Sequence, residues 1–385
     1  MAPYPGIRRR AALLAGCFAA LAAVVQGQAN EQRQPPGLPF LAGVDLSAAP
    51  QYEDAGVVYR DGGEARPLLQ IFRDHGANAV RLRLFVQPTG HGEAVNNLTD
   101  TIALARRAKA LGYYLLLDLH YSDTWADPGH QQTPAAWQAL KLPELAAQVH
   151  DYTAQVLAAM AKAGVAPDMV QIGNEINNGL LRPLGALDDH AIPPAQAFDR
   201  VAALLTAGAD AVREAGPARI MIHLANGERT DRTVSFFDAI SARHVPFDVI
   251  GLSYYPARGG TLGQLTTTLD RLATRFHKPV VVVETAYPRR PSDARAGVAA
   301  LTWPQTPEGQ KQYLLALTET LRAVPGGLGA GFFYWHPEAV PAGRLPLWQR
   351  GDMSLFDEVR HDALPALDAF APAEPAAPAA SAAAR

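Results

Sequence analysis

Short apolar runs alternate along the chain with longer stretches in which apolar residues recur every three or four positions, and the two periods predict different elements. Runs at 41–46 (LAGVDL), 78–86 (NAVRLRLFV), 113–119 (YYLLLDL), 168–173 (DMVQIG), 219–224 (RIMIHL), 247–253 (FDVIGLS), 279–283 (PVVVV) and 329–335 (GAGFFYW) read as strands. Between them, 64–75, 98–111, 143–163, 195–215, 231–243, 261–276 and 308–323 carry helical spacing, several ending at a glycine stop as in DHGAN, AKALGY, MAKAGV and REAGPA. Strand followed by helix through the whole chain predicts class α/β: a closed (β/α)8 TIM barrel, one catalytic domain. Eight strands also allow an open doubly wound sheet, the alternative architecture.

The two ends break the pattern. MAPYPGIRRR followed by AALLAGCFAALAAVV and QGQAN has the positive, apolar and small-residue regions of a secretory signal, which predicts a signal peptide at 1–29 cleaved after Ala29. Its apolar run is shorter than the roughly 20 residues of a membrane span. Leu14 to Cys17 also resembles a lipoprotein processing site, but the apolar run continues past Cys17, the single cysteine. The mature chain therefore carries no disulfide, and the destination is extracellular or periplasmic. Residues 30–37 read as a short linker, 38–370 as the folded domain, and the Ala/Pro-rich 371–385 as a disordered tail. Net charge is -3 with no concentrated basic run in the domain, which excludes nucleic acid as a partner on electrostatic grounds.

Barrel enzymes gather working groups at the C-terminal ends of their strands. Here those positions hold Asp45, Arg81 and Arg83, Asp118 with His120 and Tyr121, Asn174 with Glu175, His223, Tyr254 with Tyr255, Glu284, and Trp335 with His336. Glu175 follows the fourth strand and Glu284 ends the seventh, so the two face each other across the mouth. Such a pair is the minimum for glycoside cleavage, one carboxyl protonating the leaving oxygen while the other attacks the anomeric carbon. Asn174 is placed to bind the neighbouring sugar hydroxyl, Tyr254 or Tyr255 to hold the nucleophile ionised, and His223 to tune the acid. The third loop, with His120, Asp123, Trp125 and Trp137, alternates rings and polar groups as a sugar requires. Trp125 and Trp335 are platform candidates, and Arg81 is the favoured active-site arginine of a pair that shares one strand face.

Several stretches together resemble glycoside hydrolase family 53, the arabinogalactan endo-β-1,4-galactanases: GVDLS at 43–47, NAVRLRLFVQP at 78–88, LLLDLHYSDTWADPGHQ at 115–131, DMVQIGNEINNGLLRPLG at 168–185, FDVIGLSYYP at 247–256, VVVVETAYP at 280–288 and GAGFFYWHPE at 329–338. The resemblance runs from about 40 to 370. It implies a retaining, endo-acting hydrolase of the β-1,4-galactan side chains of pectin, with Glu175 as acid/base, Glu284 as nucleophile, and the two carboxyls about 5 to 5.5 Å apart. Some relatives hold calcium in the loops after strands seven and eight. The loop here, PRRPSDARAGVAALTWPQTPEG, is poor in carboxylates, so no metal and no cofactor is expected. Arg182 stands where relatives carry an aromatic.

Other readings remain open at this level: a mannanase, a cellulase or an exo-acting β-galactosidase on the same barrel, or a catalytically silent sugar-binding barrel. The scattered histidines lack the spacing of a metal hydrolase, and no phosphate-binding glycine motif is present. Nothing visible requires a protein partner, and a monomer is expected.

Overall fold

The computed structural model describes residues 37–291 and 301–371. The expected signal peptide, the linker except Gly37, the tail except Ala371, and residues 292–300 of the loop after Glu284 lie outside the described residues. The barrel belongs to the compact unit that begins at Phe40.

Eight parallel strands close on themselves: β1 (Leu41–Asp45), β2 (Ala79–Leu84), β3 (Tyr114–Leu119), β4 (Met169–Ile172), β5 (Arg219–Leu224), β6 (Val249–Ser253), β7 (Val280–Thr285) and β8 (Gly329–Trp335). Each pairs with its sequence neighbours, and β1 pairs with both β2 and β8, which removes every free edge. The doubly wound alternative is thereby excluded. Strands of a closed barrel are covered on both faces, which is why they read as nearly continuous apolar runs. All six residues of β7 are buried.

Seven of the connections carry the expected helices, the longest being Leu142–Lys162 and Pro194–Ala215. Their apolar stripes, such as Leu145, Val149, Val156 and Met160, turn inward. Helix Leu262–Phe276 opens on a capping box in which Thr261 and Gln264 satisfy each other's backbone N–H groups. Two departures from the expected pattern have local causes. Residues 64 and 65 pair with Arg60–Asp61 in a hairpin whose Gly62 and Gly63 both have positive φ, so the helix starts only at Leu68, after Pro67. Among the described residues no α-helix follows β8. A long loop leads instead to a 3-10 helix, Pro365–Phe370, that buries Ala366, Leu367 and Phe370. Among the described residues no helix is long and apolar enough to cross a membrane.

The rims of the seventh and eighth loops are tied by arginines. Arg290 donates to Asp352 at 2.5 Å and to Glu358 at 2.5 Å, and Arg289 donates to Glu358 at 3.2 Å.

Two features of β8 and its loop make testable demands. Gly331 has φ +135°, and a Cβ there would lie 2.1 Å from the Leu41 carbonyl oxygen of the paired strand. Gly331→Ala is therefore expected to cost about 3 kcal/mol or more in denaturant unfolding, against about 1–2 for Gly90→Ala, where φ is +74° but the space is open. Equal losses at the two sites would contradict this close-approach argument. Glu338 is fully buried, and that burial pushes its carboxyl up to about 8. Between the ordinary carboxyl range and pH 8 the folded state then binds a proton that the unfolded state has released, so stability falls as pH rises through that window. Scanning calorimetry should find Glu338→Gln more stable than the parent at pH 9, by about 3 °C or more, and little changed at pH 5. Parallel curves at both pH values would mean that Glu338 is not carrying the proton.

Candidate active site

A buried guanidinium organises the mouth. Arg81, on β2, is without solvent exposure and makes five side-chain hydrogen bonds: Nη1 to Asp45 Oδ2 (3.0 Å) and Glu284 Oε1 (2.8 Å), Nη2 to Asp118 Oδ2 (2.9 Å) and Asn174 Oδ1 (2.8 Å), and Nε to Gln171 Oε1 (3.2 Å). Burial works against its charge, yet Asp118, Glu284 and Asp45 together hold its pKa above the ordinary guanidinium value. The acceptors come from β1, β3, β4, β7 and the turn after β4, so one side chain fixes groups from most of the ring.

Glu284 is the penultimate residue of β7, and Ser253 is its register partner on β6 after a shift in the pairing that follows Leu252. Such irregularities re-aim side chains near active sites. The hydroxyl of Tyr255 donates to Glu284 Oε2 at 2.9 Å. Glu175 reaches the same space from the turn after β4 with φ +48°, a left-handed backbone that a non-glycine residue adopts at a cost of about 1–3 kcal/mol. Its Oε1 lies 2.6 Å from the Ser253 hydroxyl. A carboxylate oxygen of Glu175, one of Glu284 and a ring nitrogen of His223 all lie within 4.8 Å of one another.

Electrostatics separate the two carboxyls. Burial and the Glu284 charge push Glu175 up to about 8. Burial also raises Glu284, but Arg81 and the Tyr255 hydroxyl pull against it. Two like charges this close cannot both be comfortable without solvent. The one touching the guanidinium is the one that stays ionised, and Glu175 keeps the proton. Tyr255, buried beside Glu284, has its own pKa raised well above 10, so it stays a hydrogen-bond donor.

The remaining predicted residues fall into three groups. Asp45, Asn174 and His223 join the central network: Asp45 also accepts from the Ser47 hydroxyl (2.6 Å), and His223 sits 2.9 Å from Asn174 Oδ1 and 2.8 Å from Ser253 Oγ. His120, Trp125 and Trp335 form a rim. His120 Nε2 lies 2.9 Å from Asp118, the indoles of Trp125 and Trp335 meet edge to face at 5.6 Å, and Arg83 sits against both, 5.3 and 5.4 Å from their centres. Asp123 and Tyr254 contribute no side-chain hydrogen bond to the carboxyl pair, although the Tyr254 backbone N–H donates to the Glu284 carbonyl at 2.9 Å. Asp123 accepts from the backbone N–H of Gln87 and of Ala135, shaping the third loop, and Tyr254 packs in the apolar core. Alternation along the chain accounts for the tyrosines, since Ser253 and Tyr255 share a face that Tyr254 opposes.

Three participants went unnoticed in the sequence: Gln171, Ser253 and Arg258, the last over Tyr255 at 4.9 Å. Gln171 was findable as a polar residue inside an apolar strand, and Ser253 by its parity with Tyr255. Arg258 carried no signal.

A hollow of about 1020 Å³ between the third and fourth loops is lined by Gln131, Trp137 and Arg182 among others, and lies beside the carboxyl pair, not around it. Arg182 is paired there with Asp188. Glu175, His223 and Glu284 are close enough to suit a metal ion geometrically. Their chemistry opposes one, because both His223 nitrogens are engaged and a guanidinium already neutralises Glu284.

The model of glycosyl hydrolase family 53 matches residues 41–370. A probable arabinogalactan endo-β-1,4-galactanase A of Aspergillus terreus is 40% identical over 310 residues, covering 77% of this chain and 84% of its own. The arabinogalactan endo-β-1,4-galactanase of Cellvibrio japonicus is 38% identical over 347 residues, with 85% and 89% covered. Among solved structures, the family 53 catalytic domain of Ignisphaera aggregans superposes with a TM-score of 0.77 at 35% identity, covering 87% of this chain and 97% of that one. A fungal β-1,4-galactanase gives 0.77 at 32%, covering 87% and 99%. With the same barrel, the same span and this level of identity, the chain belongs to glycosyl hydrolase family 53.

Proposed function

We propose that the chain is an exported endo-β-1,4-galactanase, acting on the galactan side chains of type I arabinogalactan with retention of configuration. The observation that carries this reading is the carboxyl pair: an oxygen of Glu175 and one of Glu284 lie within 4.8 Å, which suits the roughly 5–5.5 Å spacing of a retaining pair better than the roughly 6.5–9.5 Å of an inverting one. The substrate class rests on the names of the family relatives, and export on the signal-like residues 1–29.

In the first step Glu284, ionised beside Arg81, attacks the anomeric carbon. The glycosidic C–O bond breaks as Glu175 gives its proton to the leaving oxygen. In the second step Glu175 takes a proton from water, which attacks the same carbon and releases Glu284. Trp125 and Trp335 provide apolar surface for sugar faces, and His120, Asp45 and Asn174 lie where hydroxyl edges would meet them. Each of these groups comes from one chain, so a monomer suffices.

Hydrolysis of unbranched β-1,4-galactan, beside cellulose and β-mannan, tests the substrate. Mixed short galacto-oligomers should appear early from galactan alone, and Glu284→Gln should lower the rate by roughly a thousandfold or more. Turnover of only another glycan would overturn the substrate assignment. Proton NMR during the reaction should find the β-anomer first; an initial α-anomer would overturn retention. Because the acid must be protonated, kcat/KM should fall as pH rises past about 8. A fall centred near pH 5 would mean that the site does not hold the Glu175 proton.

A further inference from the structure

Counting hydrogens around the acid gives Ser253 a defined task. Arg81 Nη2 can only donate, so Asn174 Oδ1, 2.8 Å away, is the amide oxygen, and Asn174 Nδ2 donates to the Ala126 carbonyl at 2.8 Å. That oxygen also faces His223 Nδ1 at 2.9 Å, so Nδ1 carries a hydrogen. Two other nitrogens approach Nδ1, and neither displaces this bond. Gln171 Nε2, at 3.1 Å, has two hydrogens and three oxygen acceptors, Asp118 Oδ1 (2.7 Å), the Gly173 carbonyl (3.0 Å) and Asn174 Oδ1 (3.1 Å), so none is left over for the ring. The Glu175 backbone N–H is at 3.4 Å, too long to compete.

His223 is fully buried, and burial, with the charge of Arg81, keeps its pKa well below the usual value. The ring is neutral, and with Nδ1 protonated its Nε2 is bare. Ser253 Oγ lies 2.8 Å from Nε2 and 3.4 Å from Glu284 Oε2, the latter too long to compete, so its single hydrogen goes to the bare nitrogen. The 2.6 Å contact between Ser253 Oγ and Glu175 Oε1 then has one possible source of a proton, Glu175 itself.

We propose that Ser253 is a positioning residue for the acid, accepting the Glu175 proton and passing its own hydrogen to His223, so that a one-way chain ending on Asn174 stores the catalytic proton on Glu175. This rests on the reading of Glu175 as acid/base. Ionising Glu175 leaves two oxygens facing each other without a hydrogen, and reversing the chain requires the opposite His223 tautomer, whose bare Nδ1 would face Asn174 Oδ1. The neutral acid is therefore favoured in the free enzyme. The carboxyl torsion of a glutamate is soft and two-fold, so a half-turn carries the stored proton toward a leaving oxygen.

The test is the pH dependence of kcat/KM on galactan, which reports the free enzyme. In Ser253→Ala the alkaline limb should move down by about one pH unit, and Ser253→Thr, which keeps the hydroxyl, should return it toward the parent position. A limb that moves up would mean that Ser253 donates to ionised Glu175, and an unmoved limb that its role is structural; either overturns the proposal. Nitrogen-15 NMR of the parent enzyme labelled at histidine, with the His223 signals assigned through His223→Gln, reads the same chain without relying on how Ser253→Ala folds. Nδ1 protonated and Nε2 bare is expected, and the opposite tautomer contradicts it. Glu175→Gln is measured in parallel: if it retains galactan hydrolysis, the acid assignment itself fails, a result distinct from either outcome at Ser253.

Discussion

One buried cation faces three carboxyl groups in the mouth of this barrel, and the rest of the site follows from that imbalance. Arg81 is cut off from water, so every one of its hydrogen-bonding directions has to be met by protein, and Asp45, Asp118, Asn174, Gln171 and Glu284 meet them. Removing an ion from water costs several kcal/mol, a loss offset only where geometry and partners are complete. The fold supplies completeness by closure, since β1, β2 and β3 are neighbours and bring Asp45, Arg81 and Asp118 together before any loop contributes. An arginine suits the position because its planar fork serves several acceptors at fixed angles, which an ammonium cannot do.

The same cation makes two chemically identical side chains different. Glu284 touches the guanidinium and a tyrosine hydroxyl; Glu175 touches a serine that is itself tied to a neutral histidine. Burial raises both, but the cation in direct contact lies on one side only; at Glu175 the charge of Glu284 adds to burial, and together they outweigh the more distant pull of Arg258. The division into a carboxylate and a carboxylic acid is thus a matter of which strand end faces Arg81, and the left-handed turn at Glu175 holds the acid where it meets that field without meeting the cation. Outside this centre the surroundings become aromatic, with Arg83 against both Trp125 and Trp335, as suits a chain of sugars lying across the mouth.

Much of this arrangement was legible in the chain because strand period and strand end are local properties. The eight apolar runs locate the strands, and polar residues within their C-terminal halves or just after them locate the mouth, which is how Asp45, Arg81, Asn174, Glu175 and Glu284 could be named from spacing and type. What escaped depends on side-chain direction and on partners far away in sequence. Tyr254 and Tyr255 are alike until parity along β6 is fixed by its pairing with β7, and Ser253 is an ordinary small residue until the register shift sets it opposite Glu284. Gln171 looked like an accident of a strand because its partners, Arg81 and Asp118, lie 90 and 53 residues away. The hairpin at 60–65 was lost to a helical pattern because a two-glycine turn outweighs apolar spacing over so few residues.

The central claim is that Arg81 holds Glu284 as the ionised nucleophile while Glu175 keeps the proton. Trapping tests it most directly: incubation with a 2-deoxy-2-fluoro-galactobioside bearing a dinitrophenolate leaving group, followed by peptide mass spectrometry of the labelled enzyme. One fluorosugar per chain, attached to Glu284, is the predicted result, because this leaving group departs without the acid while the fluorine slows release of the intermediate. A label on Glu175, or hydrolysis with no covalent intermediate and an inverted first product, would contradict the account.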